Sequence, residues 1–269
     1  MYIDPDIASW LDSLVPLDIA DLPAARQASA KNQQGAAFPG THDGRMKVMG
    51  DGSRVIFNIH GGGFVLGSTS GDDPENALLV DELGVTVVSP EYGLAPENPY
   101  PGPVAECCEA LEYIVRQLDP HPLIMGHSAG GGLAAMVTQW ALEQGIAPAA
   151  QVLIEPELDP ACASESMRTY AAGPVWTAAN GRLSWDYLLN GKELTIPARS
   201  APATYAIVNQ SDPLRDEGLR YALALADAGT PVTIKMYPGT VHGSMSCMGA
   251  GVTAHAYEEL LAFIRQVLQ

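Results

Sequence analysis

A serine set among glycines, Gly126-His127-Ser128-Ala129-Gly130, follows the apolar run Leu123-Ile124-Met125 and precedes Gly131-Gly132-Leu133-Ala134-Ala135-Met136, which reads as helix. In a strand–turn–helix setting, G-x-S-x-G spacing lifts a serine hydroxyl onto a sharp, strained turn above a sheet. The hydroxyl then sits at the positive end of the next helix, and the glycines relieve crowding around it. The chemistry such a serine offers is nucleophilic acyl transfer. A second string, His60-Gly61-Gly62-Gly63-Phe64, follows Val55-Ile56-Phe57-Asn58-Ile59. Consecutive glycines let backbone N–H groups approach a carbonyl oxygen on which charge develops. Gly62 and Gly63 are the expected donors, and Ala129 is the third. His60 reads as a residue that fixes this loop by hydrogen bonding rather than as a base. The plainer alternatives are a glycine-rich turn that holds a serine and a flexible glycine hinge.

A nucleophilic serine needs a base and an orienting acid. Two histidines follow Ser128 in the chain, His242 and His255. His255 falls inside a helical pattern, Thr253-Ala254-His255-Ala256-Tyr257-Glu258, whereas His242 sits in the loop string Tyr237-Pro238-Gly239-Thr240-Val241-His242-Gly243. His242 is therefore the expected base. Asp212, in Asn209-Gln210-Ser211-Asp212-Pro213, is the expected acid and could also cap a helix. Asp216 competes for that role but lies within the following helical pattern. The order Ser128…Asp212…His242 is the one expected for a serine on this kind of elbow.

These strings need a scaffold, and the chain supplies a rhythm. Strands are expected at Val55–Ile59, Thr86–Ser89, Leu123–Met125, Gln151–Glu155, Thr204–Val208 and Val232–Met236. Between and after them helices are expected at Asn76–Leu83, Pro103–Leu118, Gly130–Gln144, Asp216–Asp227 and Val252–Leu268. Such alternation predicts a mainly parallel sheet with helices on both faces. Ligands bind such sheets beyond the carboxyl ends of the strands, where the chemical strings fall. Ile7, Trp10, Leu11 and Leu14 share one face of an expected helix from Asp4 to Val15, ended by Pro16. A turn or two of helix is expected between Ala20 and Lys31. Gln33 to Asp51 reads as a linker, with a short strand at Met46–Met49. The interval from Glu157 to Ser200 contains no strand-like run but holds several aromatics, and reads as an insertion that is either a helical lid or a packing appendage.

Composition narrows the function classes. The 269 residues are 47% apolar and 17% charged, with 14 Lys+Arg against 31 Asp+Glu and a net charge of −17. Folded-surface scaling predicts about 11,000 Å² exposed, enough burial for a core without metal or disulfide staples. Phosphate backbones and anionic lipid repel so acidic a chain, which argues against nucleic-acid or membrane partners and leaves neutral or cationic small molecules. The opening Met-Tyr-Ile-Asp-Pro-Asp lacks the features of a secretory signal. Cys107, Cys108, Cys162 and Cys247 have no metal-ligand or pairing spacing, so they read as core residues in a reducing, cytoplasmic setting.

In order, these blocks resemble the bacterial hormone-sensitive-lipase-like esterases (family IV), a branch of the α/β-hydrolases. His60-Gly61-Gly62-Gly63-Phe64 is similar to the family's oxyanion block. Glu91-Tyr92-Gly93-Leu94-Ala95-Pro96-Glu97 is similar to its Tyr-Arg-Leu-Ala-Pro-Glu stretch, and Gly126-His127-Ser128-Ala129-Gly130-Gly131 to Gly-Asp-Ser-Ala-Gly-Gly. Asp212-Pro213-Leu214-Arg215-Asp216-Glu217 and His242-Gly243 resemble its acid and base blocks. His127, Glu91 and Gly93 depart from the family pattern. The resemblance implies an α/β-hydrolase fold in one domain, 1–269, with a small helical cap from about 1–45 and about 157–200. It implies a serine carboxylesterase that hydrolyses short-chain or small esters through a Ser128-His242-Asp212 triad and an acyl-enzyme. Gly62, Gly63 and Ala129 would form its oxyanion hole. No metal or other cofactor is implied; the partner is a small-molecule ester, and a homodimer is left open. Trp10, Trp176, Trp185 and Tyr187 would either wall the pocket or pack the cap. The rivals are an arylformamidase or other amide-type hydrolase with the same triad, and a non-catalytic ligand-binding member of the fold.

Overall fold

The computed structural model describes residues 1–33, 40–43 and 45–269. Residues 34–39 and 44, which belong to the expected 33–51 linker and to the expected N-terminal cap segment, lie outside the described residues. Among those described, eight strands form one sheet: β1 (Thr41–Asp43), β2 (Met46–Met49), β3 (Val55–Ile59), β4 (Thr86–Pro90), β5 (Leu123–His127), β6 (Gln151–Ile154), β7 (Thr204–Asn209) and β8 (Val232–Tyr237). Their order across the sheet is β1-β2-β4-β3-β5-β6-β7-β8. The pairs β1·β2 and β2·β4 are antiparallel, and every other neighbouring pair is parallel. β3, β4, β5, β6 and β7 are buried along their whole length, as strands covered on both faces must be.

Successive side chains of each strand feed two separate cores. Phe57, Ile59, Ile124 and Leu153 pack with Leu111 and Ile114 of α4 (Gly102–Gln117), Leu133 and Val137 of α5 (Ala129–Glu143), and Leu225 of α8 (Arg215–Asp227). Ile56, Val87, Met125, Val152 and Ile207 pack on the other face with Leu79 of α3 (Asp73–Leu83) and Leu260, Leu261 and Ile264 of α9 (Gly251–Val267). Exposed area is 10945 Å², close to the scaling expectation. All four cysteines are buried and unpaired.

The N-terminal helix is shorter than its apolar spacing suggests. Asp4 caps α1 (Pro5–Leu11) by accepting the Asp6 N–H, but the helix stops well before Pro16. Ser13 ends it: its N–H and hydroxyl both reach the Trp10 carbonyl. Val15 is held instead by both amide groups of the Asn32 side chain, in α2 (Leu22–Asn32). β1, absent from the sequence expectation, is three residues long and too short for any periodicity to reveal it. The interval from 157 to 200 forms α6 (Glu165–Thr169) and α7 (Ala178–Leu189). Asn180 ties α7 to the N-terminal segment by donating to Leu17 O at 2.9 Å and accepting from the Ile19 N–H at 3.4 Å.

Candidate active site

The turns that follow β3, β5, β7 and β8 meet at one edge of the sheet. Ser128 occupies the elbow between β5 and α5 with φ 52° and ψ −120°, a left-handed backbone that a non-glycine residue rarely adopts. The elbow closes tightly. A Cβ on Gly126 would lie 2.2 Å from Gly130 O, and one on Gly130 would lie 2.0 Å from Ile59 O. Ser128 N–H donates to Ile154 O, and Ser128 O accepts from Glu157 N–H, each at 2.9 Å. The next strand, β6, therefore grips the backbone that presents the hydroxyl.

Ser128 Oγ lies 2.9 Å from His242 Nε2, and His242 Nδ1 lies 2.9 Å from Asp212 Oδ2. All three residues are buried. The other Asp212 oxygen accepts the Leu214 N–H at 2.8 Å, closing the turn ahead of α8, whose first residue is Arg215. Asp212 thus shapes the approach to the helix instead of capping it. The acid and base loops are stitched together: Ser211 N–H donates to Thr240 O at 3.0 Å and Gln210 N–H to Thr240 Oγ1 at 3.2 Å. Asp216 is elsewhere, bound to Ser166 N–H and Arg215, and His255 is exposed on α9.

The glycine loop after β3 packs against this group. A Cβ on Gly61 would lie 3.3 Å from the Ser128 Cβ, and one on Gly63 only 2.3 Å from the Trp176 ring. Gly62 and Gly63 have φ of 121° and 57°. Among the described residues, the N–H groups of Gly62, Gly63 and Ala129 donate to no acceptor. His60 is buried; its Nδ1 lies 2.8 Å from Gly61 O and its ring stacks on Tyr92 at 4.2 Å. Burial pushes its pKa down, which favours the neutral ring. Tyr92 OH donates to His60 O at 2.9 Å, while Arg26 donates to Val65 O, Ala95 O and Glu97. The Tyr92–Glu97 stretch is thereby a brace for the loop.

Electrostatics set the imidazole. Burial disfavours the charged form of His242, but Asp212 and Glu155 outweigh burial and raise its pKa to about 9. Sequence reasoning passed over Glu155, which sits one residue beyond β6 and accepts the Gly243 N–H at 2.8 Å. It also passed over the partner of His127. That ring bonds Glu75 at 2.7 Å, and Glu75 in turn accepts from Tyr257 OH at 2.7 Å. Burial opposes charge on His127 as well, yet Glu75 raises its pKa to about 9. An ion pair thus stands where the usual acid would be. Glu155, Asp212 and His242 offer ligand atoms within 4.8 Å of one another, as a metal would need. Those atoms are already engaged with each other, with Gly243 and with Asn209.

A cavity of about 290 Å³ opens over Ser128 and His242, lined also by Gly61, Gly62, Gly63 and the aromatic rings of Trp10 and Trp176. Trp185 and Tyr187 do not reach it. Trp185 packs on Phe64 at 4.8 Å, and Tyr187 OH points to Ile19 O.

Comparison with known proteins gives a consistent picture. A family described as having the alpha/beta hydrolase fold matches residues 56–246. The ethyl acetate hydrolase of Pseudomonas putida is 31% identical over 239 residues, covering 80% of this chain and 72% of that one. Esterase LipI of Mycobacterium tuberculosis is 32% identical over 221 residues, covering 72% and 67%. A solved bacterial heroin esterase superposes with a TM-score of 0.89 at 35% identity, over 100% of this chain and 98% of that one. The chain spans 61% of the length of a putative alpha/beta hydrolase of Acanthamoeba polyphaga mimivirus, to which it is 30% identical over 212 residues.

Proposed function

The chain belongs to the hormone-sensitive-lipase-like esterases of the α/β-hydrolase fold, and from that premise we propose that it is a serine carboxylesterase in which Ser128 is the nucleophile, His242 the base and Asp212 the orienting acid. The observation that carries this reading is the unbroken chain of contacts from Ser128 Oγ through His242 to Asp212, each link 2.9 Å. His242 Nε2 takes the hydroxyl proton as Oγ attacks the ester carbonyl. Asp212 fixes the tautomer by accepting from Nδ1–H and stabilises the imidazolium. The free N–H groups of Gly62, Gly63 and Ala129 receive the oxyanion; removing one such donor typically costs about 3 kcal/mol of barrier. The imidazolium then protonates the leaving alcohol, and water hydrolyses the acyl-enzyme by the same route in reverse.

The cap of this enzyme is formed by the N-terminal helices together with α6 and α7, which the Asn180 bridge joins. Trp10 and Trp176 wall the substrate cavity. At about 290 Å³ it lies at the small end of ligand pockets, which favours short acyl groups. The ethyl acetate hydrolase among its relatives is in keeping with this. A p-nitrophenyl ester series from acetyl to palmitoyl, with Ser128→Ala as the blank, tests both parts. A maximum between acetyl and hexanoyl is expected, with the blank inactive. An optimum at palmitoyl overturns the size argument, and an active blank overturns the triad. Among the described residues no helix is long and apolar enough to cross a membrane.

A further inference from the structure

Glu155 follows the strand that lies between the two leading to Ser128 and Asp212. β6 lies between β5 and β7. The residue before Glu155 accepts the Ser128 N–H, and the residue two positions after it donates to Ser128 O. The Glu155 backbone is itself left-handed, at φ 43°, a conformation found in non-glycine residues mainly where the surrounding structure imposes it. Its side chain is buried. One carboxylate oxygen accepts the N–H of Gly243, the residue next to His242, at 2.8 Å. The same oxygen accepts from the side-chain amide of Asn209, the last residue of β7, three positions ahead of Asp212. Ligand-type atoms of Glu155, Asp212 and His242 lie within 4.8 Å of one another.

An amide oxygen could accept both of those N–H groups. Only a carboxylate also places a second negative charge beside the imidazole, and burying that charge is costly unless something uses it. We propose that Glu155 is a second positioning acid for His242: it clamps the base loop through Gly243 and shares with Asp212 the task of stabilising the imidazolium in the transition state. This rests on the triad reading above. The groups that face His242 are Asp212 from the loop after β7, Glu155 and Glu157 from the segment after β6, Ser128 from the elbow, and the Trp176 ring at 6.2 Å. Burial pushes the Glu155 pKa up and Asp212 adds to this, while charged His242, charged His127 and the Gly243 N–H pull it down. Glu155 is therefore most fully ionised when His242 carries its proton. The titration seen in kinetics belongs to the cluster, not to the imidazole alone.

The test is kcat and KM for p-nitrophenyl butyrate across pH in wild type, Glu155→Gln and Glu155→Asp, with melting temperatures to verify folding. In Glu155→Gln the acidic limb of kcat/KM moves down by about one pH unit, and the alkaline plateau of kcat falls about three- to tenfold. KM stays within about twofold, because Glu155 acts through the base. Glu155→Asp keeps the charge, so its limb stays near wild type while kcat falls with the loosened loop. A folded Gln variant with an unmoved limb overturns the proposal, as does an Asp variant whose limb moves. Should the Gln variant not fold, the Asp variant decides alone: an unmoved limb with reduced kcat supports the proposal, and a displaced limb overturns it. The triad reading fails separately, through an active Ser128→Ala.

Discussion

Two carboxylates crowd one imidazole, and that arrangement sets when the site works. In the proposed mechanism His242 must be neutral to accept the Ser128 proton, and its pKa is raised to about 9 because Asp212 and Glu155 overcome the effect of burial. For a group whose charged form is favoured, the active neutral form is gained as pH rises and lost as pH falls through the raised value. The kcat/KM profile is therefore expected to climb through an apparent pKa above the ordinary histidine value of about 6.5 and to level off in the alkaline range. An acidic limb at or below that ordinary value contradicts this description of the site. Asp212→Asn removes the nearer charge and permits the wrong tautomer. It should lower kcat by about 10⁴-fold and move the limb downward. The turns that bring Ser128, Asp212 and His242 together were legible because each residue lies in a short string whose spacing declares the turn it makes. Glu75 and Glu155 were not. Their partners His127 and Gly243 lie 52 and 88 residues away, and no local pattern marks a carboxylate that meets its partner only through the fold.

The strands and their turns make the geometry rigid. Gly130 shows the tolerance: a methyl group there would sit 2.0 Å from Ile59 O and 2.4 Å from His60 O, both backbone atoms that cannot swing aside. Gly130→Ala must push α5 away from β3 at the point where elbow and glycine loop touch. A loss of about 1–3 kcal/mol in urea unfolding is expected, along with reduced activity in whatever fraction folds. Unchanged stability would mean that α5 and β3 are not held this closely. The β2 strand depends on a different device. Lys47 and Asp73 form a buried ion pair at 2.6 Å that ties β2 to the start of α3. The expected strand at Met46–Met49 is present, but nothing in its sequence shows that Lys47 points inward to a charge. Elements with a long apolar period were readable to within a residue or two, as α4, α5 and α9 show. The end of α1 was not, because Asn32, remote in the chain, decides where Val15 goes.

The chain as a whole carries a charge of −17, and its ion pairs join only some of those acids. The remainder repel one another, and salt screens that repulsion over a length that shrinks from about 30 Å at 0.01 M to about 8 Å at 0.15 M. The melting temperature should rise by a few degrees over that range of NaCl, as scanning calorimetry at pH 7.5 would record. A fall would place the balance with the surface ion pairs instead. The two-core architecture follows from the alternation of strand and helix in the sequence. The placement of one cavity above the sheet follows from the topology, since every turn that contributes a chemical group leaves the carboxyl end of a parallel strand.

Peptide-level mass spectrometry after treatment with a fluorophosphonate tests the central claim most directly, because the reagent bonds only to a serine that a neighbouring base has activated. A single adduct on the peptide that contains Ser128, absent from His242→Ala, is the result this account predicts. An adduct on another residue, or an unlabelled folded protein, would contradict it.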